Sequence, residues 1–226
     1  MSIELSETIP LGRTFKEYTE MFGLDSDFTG KLILDCGAGP SSFNAEQFKN
    51  SFNIVSIDPL YKFTRDQIKH RIDETFEDII EKTRQNQDKF IWSSLKSVDD
   101  LARIRQKAMD RFLLDFDAGL RDLRYLAEEL PEVSFEDNKF DLALSSHFLF
   151  LYETLFSFEF HVNAINEMLR VAREVRISPL LDLNAKKCSY VGDIMDLFSK
   201  KNLNVRIISV AYEFQKGGNQ YLQIKK

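Results

Sequence analysis

The stretch Lys31–Asp58 constrains this chain most. "KLILDC" (Lys31–Cys36) is a short, continuous apolar run, the pattern of a strand covered on both faces in a parallel sheet. "GAGP" follows at once. Gly37 and Gly39, separated by Ala38, allow a tight turn and a close backbone approach to a ligand. Pro40 suits a first helical position, where its missing N–H costs nothing, so a helix is expected from Pro40 to about Asn50. "NIVSID" (Asn53–Asp58) then reads as a second strand that ends in an acid, 19 residues beyond Gly39. Strand, glycine turn, helix, strand, acid is the nucleoside-binding half of a doubly wound α/β sheet, where the acid can hold ribose hydroxyls. Glycines also mark ordinary turns, so the rest of the chain has to agree with this reading.

It does. "KFDLALSS" (Lys139–Ser146) and "EVRISPLLDL" (Glu174–Leu183) read as further strands, with a helix over Ser157–Ala172 between them and another over Tyr190–Lys200. Thr14 and Glu17 form a capping box before a short helix carrying Phe15, Tyr18 and Phe22. At the end of the chain two β-rich runs flank Gly217-Gly218-Asn219, a hairpin signal. This order predicts one domain with a mostly parallel sheet and an antiparallel edge strand. The stretch Lys62–Asp122 breaks the rhythm, because a crossover needs only about a dozen residues. Thr64 with Gln67, and Ser97 with Asp100, mark two helix starts. Ile68, Ile72, Phe76, Ile79 and Ile80 form one apolar stripe, and Leu101, Ile104, Ala108, Phe112 and Phe116 a second. The expectation is a crossover enlarged into a helical insertion at the carboxyl edge of the sheet. It is a lid over an acceptor pocket with phenylalanine-rich walls, a stabilising subdomain or a dimer interface.

Composition excludes several classes. Among 226 residues, 30 Lys and Arg against 36 Asp and Glu leave a net charge of −6, which lacks the footprint of a general nucleic-acid binder. Arg170, Arg173 and Arg176 are the best local basic cluster, read as a solvated surface group. Two cysteines, Cys36 and Cys188, make no disulfide framework, and Met1–Pro10 lacks the apolar core of a signal peptide. The longest apolar run, Leu142–Tyr152, is too short to span a bilayer, so no membrane role and a reducing cytoplasm are expected. Three scattered histidines give no metal-ligand set. Twenty Phe residues imply a large aromatic core or an apolar cavity.

Asp35 bears on the ligand. A carboxylate just before the glycine turn repels a pyrophosphate but attracts an ammonium or sulfonium, and S-adenosylmethionine (SAM) carries both cations and no phosphate. Ser42 stands where a dinucleotide fingerprint wants a third small residue for helix packing. Asp35 could instead cap the following helix. The segments "LILDCGAGPSSF", "IVSIDPLY", "VSFEDNKFDLALSSHFLF" and "MLRVAREVRISPLL", in this order, resemble the successive motifs of class I SAM-dependent methyltransferases. "GRTFKEYTEMF" and "YEFQKGGN" resemble features of an uncharacterised bacterial branch.

The resemblance implies a Rossmann-like seven-stranded sheet with a reversed, antiparallel last strand and SAM as cofactor. It implies that Asp35, Gly37, Ala38 and Gly39 lie by the methionine part and Asp58 binds the ribose. Pro59 and Leu60 would lie beside the adenine, and Glu129 would face its amino group. Ser145-Ser146-His147-Phe148 ends the fourth strand, where donor and acceptor meet in the family; Ser145 is a cofactor contact on this reading. His147 is a candidate base, since imidazole titrates near neutral pH, or alternatively a stacking or loop-supporting group. Tyr152 is a second candidate. His70 and His161 fall in helices and read as structural or exposed. The function expected is methyl transfer to a small-molecule acceptor. A nicotinamide-dependent oxidoreductase and a non-catalytic SAM-binding protein are the alternatives.

Overall fold

A computed structural model describes residues 8–226; residues 1–7, most of the segment read for a signal peptide, lie outside the described residues. Seven strands form one sheet in the order β3-β2-β1-β4-β5-β7-β6. The apolar strand β1 (Leu32–Cys36) lies inside it, parallel to β2 (Asn53–Ile57) and β4 (Phe140–Ser146). Ile33 and Leu34 face opposite ways into two clusters, so both faces of the sheet are covered.

β5 (Ala172–Ser178) runs parallel to β4 and stops where Pro179 supplies no N–H; the longer strand expected to Leu183 does not form. β7 (Gln220–Lys225) is antiparallel to both β5 and β6 (Asn204–Ser209). The reversed strand is therefore inside the sheet, not at its edge as the element order suggested. Burial explains the exchange: Leu222 and Ile224 of β7 are fully buried, whereas β6 has partly exposed residues throughout and suits an edge. The connection is not a tight hairpin either. Residues 210–219 leave the sheet and pair with the insertion. Ile91 N–H donates to the Phe214 carbonyl at 2.7 Å, Lys216 N–H donates to the Lys89 carbonyl at 2.9 Å, and the Phe90 and Phe214 rings stack 4.7 Å apart.

The short helix α1 (Phe15–Phe22) carries the expected Thr14/Glu17 capping box. The helix expected from Pro40 starts late, as a 3-10 turn at Asn44–Glu46 followed by α2 (Gln47–Asn50). Residues 41–42 are held elsewhere: the Arg13 carbonyl accepts from Ser42 N–H at 2.9 Å and from Ser41 Oγ at 3.2 Å. Between β2 and the two-residue β3 (Tyr125–Leu126) lie α3 (Arg65–Gln85), capped by Thr64 and Gln67, and α4 (Val98–Arg121), capped by Ser97. Phe112 and Phe116 of α4 close with Tyr61 and Tyr125 into an aromatic cluster, with Ile68 and Ile72 of α3 beside it. α5 (Phe158–Val171) and α6 (Tyr190–Ser199) pack in the cluster that covers the β4–β5 region.

The three arginines form no surface patch. Arg176 is buried, bonded to Glu174 at 2.7 Å and to the Phe22 carbonyl, while Arg170 is tied to Glu167 and Asp137. Both cysteines are buried and free. No described helix is long and apolar enough to cross a membrane, and among the described residues no cluster of three His, Cys, Asp or Glu could hold a metal.

Candidate functional site

The carboxyl ends of β1, β2 and β4 open into a cavity of about 1160 Å³. The Gly37–Pro40 turn, Asp58–Leu60, residues 128–131 and Ser146–Phe148 form its floor. Residues 8–11, Arg13, the side of α3 bearing Ile68 and Thr83, and Leu101 and Arg105 of α4 line the rest of it. The volume exceeds the roughly 300–1,000 Å³ of a pocket for one drug-sized ligand, which leaves room for two ligands side by side.

The glycine turn is shaped for close approach. Gly37 has φ +66°, and a Cβ there would stand 2.8 Å from the Phe148 ring; at Gly39 a Cβ would meet nothing within 4 Å, so that residue faces open space. Gly37 and Ala38 donate their N–H groups to the Ile57 carbonyl at 3.0 and 3.2 Å, which ties the turn to the end of β2. Asp58 completes the brace. Its Oδ2 accepts from Gly39 N–H and its Oδ1 from Leu60 N–H, each at 2.8 Å, and it caps the 3-10 turn Pro59–Lys62. Burial pushes the Asp58 carboxyl up, the two N–H bonds pull it down, and Glu129 adds to the rise.

Asp35 is fully buried beneath the turn and does not itself line the cavity; Tyr18, packed beside it, does. Neither carboxylate oxygen makes a well-formed hydrogen bond among the described residues, and the Tyr18 phenol is a donor close to it. Burial pushes this carboxyl up to about 8, the Tyr18 phenol works against the rise, and Asp58 adds to it. A buried carboxylate with so little support is costly and asks for an explanation. Asp35 does not cap the following helix.

Pro59, Leu60 and Glu129 line the cavity. The neighbouring acid, Glu128, also lines it but accepts from Ser134 N–H at 2.9 Å and from its hydroxyl at 2.5 Å. Ser145 does not reach the cavity: side chains alternate along β4, so Ser145 turns away and Ser146 lines it instead. His147 also lines it, at φ +52°, with its N–H on the Ser178 carbonyl at 2.7 Å and Nδ1 3.0 Å from Ser146 Oγ. Burial first, then Arg13 and Arg105, hold the imidazole well below its usual pKa, so it is neutral at physiological pH. Tyr152 lines the cavity and accepts from Ile9 N–H at 3.2 Å. His161 is buried away from it, between the Ser157 and Leu149 carbonyls at 2.8 and 3.0 Å. His70 is exposed on α3, against Glu74 at 3.2 Å, and reaches the rim.

Sequence reasoning missed the charged group opposite the turn. Arg105 is fully buried in α4 and makes a bidentate pair with Glu17 of α1, both contacts at 2.6 Å. Tyr212 donates to the same carboxylate at 3.1 Å, and Thr14 donates its N–H and hydroxyl at 2.9 Å. One signal was present: Leu101, Arg105, Ala108 and Phe112 share one helical stripe, and a charge on such a stripe needs a buried partner.

No family model matches the chain. The uncharacterized protein MJ0045 of Methanocaldococcus jannaschii is 34% identical over 226 residues, covering 99% of both chains. The present chain belongs to that protein's family. The relative is archaeal, and no comparison places the chain in a bacterial branch. Among solved structures, the pyocyanin biosynthetic protein PhzM superposes with a TM-score of 0.50 at 11% identity, over 93% of this chain and 54% of PhzM. Magnesium protoporphyrin IX methyltransferase from Synechocystis PCC 6803, crystallised with SAM, gives 0.49 at 11% identity, over 94% of this chain and 80% of its own. The MJ0045 family member described here has the Rossmann-like fold of the methyltransferases, with the antiparallel last strand that marks it.

Proposed function

We propose that this protein transfers a methyl group from SAM to a small-molecule acceptor. The observation that carries the reading is the glycine turn: Gly37–Gly39, braced by Asp58, opens to a large cavity, and the buried Asp35 carboxylate lies directly beneath it. The field of the two carboxylates favours a cationic ligand over the turn, whereas the pyrophosphate of a nicotinamide dinucleotide would be repelled by Asp35 and Asp58 together. The residues present fit SAM. Gly37, Ala38 and Gly39 would take its methionine part, Asp58 the ribose, Pro59 and Leu60 the adenine, and Glu129 the adenine amino group.

When bound, SAM supplies an electrophilic methyl group on a sulfonium. The chain's own work is alignment and exclusion of water. Phe148, clamped against Gly37, and Phe156 and Phe160 beside it give an apolar wall near the end of β4. Residues of α3 and α4 line the cavity and narrow its access to water. His147, neutral and on the cavity wall, can accept a proton from an acceptor hydroxyl or amine there. Phe112 and Phe116, expected as walls of the acceptor pocket, serve the aromatic core instead.

Calorimetry with S-adenosylhomocysteine tests the reading. The expected outcome is micromolar binding, about −8 kcal/mol, and no heat with NAD. Folded protein that binds neither SAM nor S-adenosylhomocysteine overturns it.

A further inference from the structure

The glycine turn is held differently at its two ends. Its entry is tied by backbone alone, through the Gly37 and Ala38 N–H groups on the Ile57 carbonyl. Its exit has no such tie, because Gly39 is followed by Pro40 and their shared peptide carries no N–H. Gly39 is at φ +53° with open space where a Cβ would be, so no steric contact limits it there. Two side chains hold it instead. Asp58 Oδ2 accepts from the Gly39 N–H, and the Tyr61 hydroxyl donates to the Gly39 carbonyl, each at 2.8 Å. Tyr61 stands in the 3-10 turn that Asp58 caps, and its N–H donates to the Asp58 carbonyl at 3.0 Å. Tyr61 does not line the cavity. Its ring is buried among Phe112 and Phe116 of α4, both at 5.8 Å between ring centroids, and Tyr125 of β3 at 5.2 Å. Burial raises the pKa of the phenol, so the hydroxyl stays a donor at every physiological pH. α4 reaches the same exit by a second route. A Cβ on Gly12 would stand 2.0 Å from the Pro40 carbonyl oxygen and 3.0 Å from Met109 Cγ, so that segment is wedged between the turn and α4.

We infer that Tyr61 is a positioning residue: it carries the packing of α4 to the Gly39 peptide and so sets how tightly the turn binds its ligand. The inference rests on the proposed reading of the turn as the cofactor site. Each link is a contact of fixed geometry. The Tyr61 ring packs on three others, and tilted or edge-on pairs hold a ring's orientation. The ring fixes where its hydroxyl lies. The hydroxyl in turn holds the one group by which the Gly39–Pro40 peptide can be tied. A turn kept in its binding geometry before the ligand arrives loses less freedom on binding. The insertion thus acts on the cofactor end of the cavity through its aromatic core, by residues that do not line the cavity themselves.

Tyr61→Phe keeps the ring and removes only the donor, and two measurements on the full chain test its effect. Native-state hydrogen exchange of the free protein reads the turn directly. The Gly39 amide is expected to exchange about 3- to 10-fold faster in the variant, relative to Leu34 in the buried strand β1. Calorimetry reads the consequence: affinity for S-adenosylhomocysteine is expected to fall by a similar factor. Phe112→Leu loosens the ring without removing the hydroxyl. It should also weaken S-adenosylhomocysteine, and add nothing further in the Tyr61→Phe background, as for two changes on one path. A residue that only stabilises the fold would speed Gly39 and Leu34 alike and leave the affinity of folded protein unchanged. Either result overturns the inference, as does strict additivity of the two substitutions. Wild type that binds no S-adenosylhomocysteine removes the cofactor reading, and exchange at Gly39 then decides alone whether Tyr61 holds the turn. Should Tyr61→Phe not fold, Phe112→Leu carries the same two measurements, with the same outcomes for and against.

Discussion

Asp35 and Asp58 stand at the ends of adjacent strands, yet their surroundings give them different chemistry. Asp58 receives two backbone N–H groups and is part of the turn it serves. Asp58→Asn keeps an acceptor for one of them, so it is the cleaner probe; its affinity for S-adenosylhomocysteine is expected to fall about 10- to 100-fold in calorimetry. Asp58→Ala would also loosen Gly39 and the turn at Pro59. Asp35 has no such support, and its carboxyl sits at about 8 against an ordinary 3.8. Between those values the folded protein holds a proton that the unfolded chain has lost, so Asp35 costs stability progressively as pH rises. Asp35→Asn is therefore expected to melt several degrees above wild type at pH 8.5, with a gap that narrows toward pH 5, while binding S-adenosylhomocysteine more weakly. Thermal unfolding at both pH values checks this, and a gap independent of pH would show that Asp35 is already satisfied.

The insertion shows how one element can serve both packing and site. α4 turns Phe112, Phe116 and Met109 into the aromatic cluster, and in the same helix Leu101 and Arg105 face the cavity. Gly119, near the end of α4, lies under the Tyr125 ring, where an added Cβ would come within 2.3 Å. Glycine in a helix interior costs about 1 kcal/mol relative to alanine, so propensity alone says that Gly119→Ala stabilises. The clash decides the sign the other way. Gly119→Ala should lower stability by about 1–3 kcal/mol, as overpacking does, read as a lower urea midpoint with an unchanged m-value. A raised midpoint would mean that Tyr125 can move aside.

At the scale of the whole molecule, Glu17 joins α1, α4 and the β6–β7 connection through Arg105 and Tyr212. Burial alone would raise its pKa, but the Arg105 charge and bonds override this and hold it at about 2, below the ordinary 4.5. Its stabilisation is therefore complete above pH 4.5 and is lost as pH falls toward 2. Glu17→Gln leaves Arg105 charged and buried without its partner, a loss of about 3–5 kcal/mol. Urea titrations at pH 7 and pH 3 should show a large gap between variant and wild type that shrinks in acid. A gap unchanged at pH 3 would place the acid sensitivity elsewhere.

The local signals in the chain were enough for most of the elements, because each is a short-range property. Capping boxes at Thr14 and Thr64 mark helix starts whatever surrounds them, and the continuous apolar run at Leu32–Cys36 requires cover on both faces. The Gly37–Gly39 turn and Asp58 were legible for the same reason: their spacing along the chain is their geometry. Three things depended on contacts between distant residues. The late helix start after Pro40 comes from Arg13 holding Ser41 and Ser42. The inner place of β7 follows from where Leu222 and Ile224 find cover. The burial of Arg105 depends on Glu17 of α1 and on Tyr212, both far from it along the chain. Propensity and spacing are written into neighbouring residues; competition for a buried partner is settled only when the chain has closed on itself.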